Sequence, residues 1–126
     1  MSVKIITSIY SDLYGTEFGG RVGRGGHYRF SLLSLLKITD ADFLCYTSDR
    51  EIESLQSFFY NENGVSPEKL QFQVFDIGNT KFKDLINSYK NIEETKKSDR
   101  CIEVQYSKFH WWSNEDKSYD YYYWID

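Results

Sequence analysis

Val3-Lys-Ile-Ile-Thr-Ser-Ile-Tyr10 is the stretch whose reading decides the fold. Its apolar residues are largely β-branched and run on instead of alternating with polar ones. That pattern suits a strand buried on both faces, as the strands of a parallel sheet are. The residues after it supply the other half of the argument. Ser11–His27 holds Gly15, Gly19, Gly20, Gly23, Gly25 and Gly26 out of 8 glycines in the chain and reads as a long, flexible loop. Tyr28–Ile38 (YRFSLLSLLKI) then sets Leu32, Leu35 and Leu36 at helical spacing. A strand, a loop and a helix packed back on the sheet form the opening of a β-α-β unit.

The same alternation continues outward. Asp42–Thr47 (DFLCYT) reads as a second strand. Ser48-Asp-Arg-Glu51 has the Ser-x-x-Glu form of a capping box, so a helix is expected over Glu51–Tyr60. Asn61–Pro67 is a turn region, marked by Asn63-Gly64 and Pro67. Leu70–Phe75 (LQFQVF) alternates as a third strand. Phe82–Lys96 reads as a helix with Phe82, Leu85, Ile86 and Tyr89 on one face, and Ile102–Trp112 as another. Tyr119–Asp126 (YDYYYWID) is an aromatic final strand. The order β-α-β-α-β-α-α-β predicts an α/β architecture: a mostly parallel sheet of about four strands, flanked by helices and joined by right-handed crossovers. No internal repeat or linker divides residues 1–126, which read as one domain. The sequence stops within Tyr-Tyr-Tyr-Trp-Ile-Asp, and the expectation is the front part of a longer protein.

Composition narrows the function classes. With 126 residues, 40% hydrophobic and 27% charged, the chain is an ordinary globular sequence and not a disordered one. A net charge of -4 argues against a general nucleic-acid binder or docking on an anionic membrane. The 11 tyrosines suggest amphipathic surfaces, half buried and half wet. Cys45 and Cys101 are far apart, lack metal-ligand spacing and read as free thiols. Neither a signal peptide nor a run of about 20 apolar residues is visible, so a cytoplasmic location with no membrane span is expected.

Ligands of open α/β sheets bind beyond the carboxyl ends of the strands. The ends available here are Ser11–His27, Ser48–Arg50, Asp76–Thr80 and Asp126. The first is the richest, since its glycines let backbone N–H groups approach an anion before a helix N-terminus. It also brings Arg21, Arg24, His27 and Arg29 together in an acidic chain. It fits neither the Walker pattern nor the dinucleotide fingerprint. It reads equally as a surface loop with incidental arginines. At the other end of the chain, Lys108 is placed on a helix before the last strand, and Asp126 at that strand's carboxyl end. A carboxylate there can hold a divalent cation, and the lysine can touch the same phosphates. Asp40-Ala41-Asp42 precedes a strand and reads as a turn. His27 and His110 lack a third partner for zinc.

Ser107-Lys108-Phe109-His110-Trp111-Trp112 followed by Tyr119-Asp120-Tyr121-Tyr122-Tyr123-Trp124-Ile125-Asp126 resembles the Ser/Thr-Lys, aromatic strand and Asp run of GT-A glycosyltransferases. The Trp-Ile-Asp ending is more similar still to the bacterial HtrL-type (YibB-like) glycosyltransferases, and more distantly to glycogenin-like ones. The resemblance implies the Rossmann-like N-terminal half of a GT-A fold. It implies binding of a nucleotide-diphosphate sugar for transfer to an acceptor glycan or surface polysaccharide, with Mn2+ or Mg2+ as cofactor. By that resemblance Thr7, Ser8, Ile9 and Tyr10 lie where the nucleoside sits, Lys108 near the nucleotide, and Asp126 at the metal; Arg24 and Arg29 are candidates for the phosphates from the Gly/Arg loop reading. The second motif carboxylate and any catalytic base would lie past Asp126, so this chain alone is expected to be inactive. Two other classes stay open: a non-catalytic nucleotide or phosphosugar-binding module that uses only the Gly/Arg loop, and a structural domain that self-associates through its aromatic final strand.

Overall fold

Strands and helices follow the expected order wherever the computed structural model describes the chain, over residues 2–10, 24–76, 83–90 and 118–125. Val3–Ile9 forms β1, Arg24–Ile38 α1, Asp42–Thr47 β2, and Leu70–Val74 β3. Lys83–Lys90 forms α3, and Tyr121–Trp124 forms β4. Between β2 and β3 lie a short α-helix, α2 (Ile52–Gln56), and a π-helical segment, Ser57–Glu62. The four strands make one sheet in the order β3-β2-β1-β4, every pair parallel. This is an α/β, Rossmann-like arrangement. The chain divides into two compact units, Met1–Phe75 with Lys117–Asp126, and Asp76–Asp116. The whole sheet belongs to the first.

The two central strands explain the unbroken apolar run. On one face Ile9, Phe43, Cys45 and Leu70 pack under Leu32, Leu33 and Leu36 of α1, Leu55 of α2 and Phe59 of the π-helical segment. On the other face Ile6, Tyr10, Leu44 and Tyr46 are buried too. A strand buried on both faces has no reason to alternate. The outer strands do alternate, as half-buried strands should: Gln71 and Gln73 of β3, and Tyr121 and Tyr123 of β4, are exposed.

Several elements depart from the sequence expectation. Helix α1 begins at Arg24, so Gly25, Gly26 and His27 are helical. Glycine costs about 1 kcal/mol in a helix interior, but the first turn carries no intrahelical N–H bonds to protect. The capping box does not form. The N-cap is Glu51 with no side-chain cap bond, because the Ser48 carbonyl itself receives the N–H groups of Glu51 and Ile52 in a turn, each at 3.2 Å. The expected single helix over Glu51–Tyr60 changes to π geometry at Ser57. Phe58, Phe59 and Tyr60 are all at least partly buried there. Asn63 Nδ2 donates to the Phe58 carbonyl and the Val65 N–H to that of Phe59, which closes the widened turn. Gly64 follows at φ 67°, a left-handed conformation that glycine adopts without penalty. In the second unit, Lys83–Lys90 is helical as expected, and Leu85 on it is 56% exposed. The helix expected over Ile102–Trp112 and the ends of Phe82–Lys96 lie outside the described residues.

The amino ends of the strands are pinned by side chains. Ser2 N–H donates to Asp120 Oδ2 and the Asp120 N–H donates back to Ser2 Oγ, both at 2.9 Å. Tyr119 Oη donates to Asp42 Oδ2 at 2.8 Å, and Lys4 Nζ sits 5.5 Å from the centre of the Tyr119 ring. Asp42 therefore has a structural role at the strand start. These bonds fix β4 against β1 with Val3 opposite Tyr121. A one-residue slip would turn every β4 side chain to the wrong face.

Candidate functional site

The order β3-β2-β1-β4 makes β1 the strand where the chain reverses its direction of travel across the sheet. After β1 the chain steps outward to β2 and β3, then returns to place β4 on the far side of β1. Helices that leave a reversal point diverge, so the carboxyl ends of the two strands bound a crevice there. Because β1 and β4 are parallel, the chain leaves both of them at the same rim. Ile125 extends the pairing one step, its N–H donating to the Ile6 carbonyl at 3.0 Å.

A cleft occupies this position. It is lined by Thr7, Ser8 and Ile9 from β1, Tyr28, Ser31, Leu32 and Leu35 from α1, and Ile125 after β4. Tyr28, Ser31 or Leu32, and Leu35 follow the i, i+3/i+4, i+7 spacing of one helix face, so one side of α1 forms a wall. The volume is about 40 Å³, room for a few waters. As bounded by these residues it is a shallow seat and not a closed pocket. The walls are aliphatic and aromatic carbon with hydroxyl-bearing side chains from Thr7, Ser31 and Tyr28; Ser8, whose side chain belongs to the opposite face of the sheet, contributes its backbone, and no charged side chain lines it. Such a surface suits an uncharged ring with hydrogen-bonding edges better than a phosphate.

The floor beneath the cleft is tied across three strands. Thr47, fully buried, donates through Oγ1 to the Ile9 carbonyl at 2.7 Å. The Thr47 carbonyl receives the Phe75 N–H at 3.0 Å. Tyr10 Oη donates to the Phe75 carbonyl at 3.0 Å, and the ring of Phe75 meets that of Tyr46 edge to face at 6.2 Å. The points where the chain leaves β1 and β3 are thus joined through β2. Tyr10→Phe should remove one partly buried hydrogen bond and cost about 1 kcal/mol. Urea unfolding checks this: an unchanged midpoint would show that the bond contributes nothing.

Of the expected nucleotide contacts, Thr7 and Ser8 line the cleft. Tyr10 is buried, its hydroxyl donating to the Phe75 carbonyl. Arg29 is turned to α2: Nη2 donates to Ser54 Oγ at 3.0 Å, and its guanidinium carbon lies 5.7 Å from the centre of the Phe58 ring. The helical turn that points Tyr28 into the cleft carries the next residue away from it, toward the neighbouring helix. Arg24 opens α1, with its side chain outside the described ones, and Lys108 and Asp126 lie outside the described residues altogether. The wall residues Tyr28, Ser31, Leu35 and Ile125 are not among the contacts expected from the sequence. The helical spacing of the first three was legible, but it reads as packing until β4 is known to lie beside β1.

The described residues do not by themselves fit a divalent cation. No carboxylate lines the cleft, and no group of three His, Cys, Asp or Glu among the described residues could hold a metal. No described helix is long and apolar enough to cross a membrane.

Cys45 lies one strand over from the cleft and is wholly buried. Burial pushes its thiol pKa well above the ordinary value, partly offset by a hydrogen bond with the Ile9 backbone and reinforced by the nearby Glu51 carboxylate. The thiol is therefore structural and inert. Its folded pKa is raised, so its contribution to stability is complete below the unfolded value, about 8.5. Above that pH the unfolded chain releases a proton that the folded chain keeps, and stability falls by about 1.4 kcal/mol per pH unit. In a Cys101→Ser background, Cys45 should resist a thiol reagent until the protein unfolds, and Cys45→Ala should flatten the decline above pH 9. Rapid labelling of the native protein would disprove the assignment.

No family model matches the sequence, and no match was found among curated proteins or solved structures.

Proposed function

We propose that the chain is the nucleotide-diphosphate-sugar-binding part of a glycosyltransferase, acting on a glycan or surface-polysaccharide acceptor. One observation carries the reading: an uncharged, hydroxyl-bearing cleft at the point where strand order reverses, between the carboxyl ends of β1 and β4. Open parallel sheets take nucleotides at that position. In this reading the nucleoside lies against Tyr28 and Leu32, with the hydroxyls of Thr7 and Ser31 available to its polar edges. The phosphates are assigned to Arg24 by the Gly/Arg loop and to Lys108 by the resemblance. The resemblance assigns a divalent cation to Asp126, and no step is derived through it.

The test is thermal unfolding of the full chain with uridine or guanosine diphosphate, each with and without Mn2+. At a nucleotide concentration 100 times Kd, binding adds about 2.7 kcal/mol. That is a rise of several degrees for a domain of this size. Stabilisation that Mn2+ strengthens and Lys108→Ala reduces is the expected result. Stabilisation indifferent to Mn2+ would replace the reading with a non-catalytic nucleotide-binding module. A concentration-dependent dimer that no nucleotide perturbs would replace it with self-association through β4.

A further inference from the structure

We draw no further inference here: the strongest candidate, the outward strip that Tyr121 and Tyr123 form on the helix-side face of β4, carries nothing because no feature of the structure shows what covers it.

Discussion

Phe59→Ala is expected to lower stability by about 3–5 kcal/mol, the range for truncating a fully buried phenylalanine. Phe59 has no exposed surface. Its ring meets Phe58 edge to face at 4.9 Å and Phe72 of β3 at 5.8 Å. It belongs to the same core cluster as Cys45, Leu55 and Leu70. The backbone around it is held in place: Tyr60 Oη donates to the Leu70 carbonyl, and the Val65 N–H donates to the Phe59 carbonyl. A cavity left here has little freedom to collapse, which puts the cost in the upper part of the range. With a total stability of roughly 5–15 kcal/mol for a domain, the variant should be close to unfolding at room temperature. Phe30→Ala is the matched control. Phe30 also touches Phe58, at 5.6 Å, but is 63% exposed, and its loss should cost less than about 1 kcal/mol. Urea titration of both variants decides the matter. Equal losses would mean that the core is not centred under the π-helical segment.

Ser31→Trp should weaken nucleotide binding at least 10-fold, about 1.4 kcal/mol, while leaving stability within about 0.5 kcal/mol. Ser31 lines the cleft from α1 and is itself exposed, so an indole there fills the seat without disturbing the core. Ser34→Trp makes the same change on the same helix away from the cleft. Ser34 is exposed and its hydroxyl only donates back to the Phe30 carbonyl. Binding that survives at Ser34 and fails at Ser31 supports the proposed site. Binding that survives at both positions excludes the cleft even if the chain binds nucleotides elsewhere. The titration is read by calorimetry and the fold by circular dichroism, so a folding defect and a binding defect are told apart.

The fold was largely legible because its signals are local. The run from Val3 to Tyr10 and the run DFLCYT announce doubly buried strands, and the leucines of α1 announce a helix that covers them. What was not legible depends on partners distant in sequence. The Ser48 box is a good local pattern, yet the strand that precedes it delivers the chain into a turn that uses the Ser48 carbonyl instead. The π-helical segment is closed by the Asn63 side chain and the Val65 N–H, bonds that no local pattern of the aromatics announces. Arg29 looks like a phosphate ligand by type, and it is Ser54 and Phe58, far along the chain, that engage it. The cleft itself exists only because β4 returns to the side of β1 opposite β2. Nothing in the residues of β4 states which neighbour it will choose. Thr7 and Ser8 were named from their place at the end of β1, which local reading supplies. Ile125 needed the topology.

The hydrogen-bonded chain Ile9–Thr47–Phe75–Tyr10 has a consequence for how the protein can vary over time. It makes two fixed mooring posts from the exits of the first and third strands. Insertions, deletions or altered composition between residues 11 and 23, or between 77 and 82, start from anchored ends and need not propagate into the sheet. Such an arrangement uncouples the sheet from the segments that leave it, so a change of length beyond those exits need not disturb what holds the strands together.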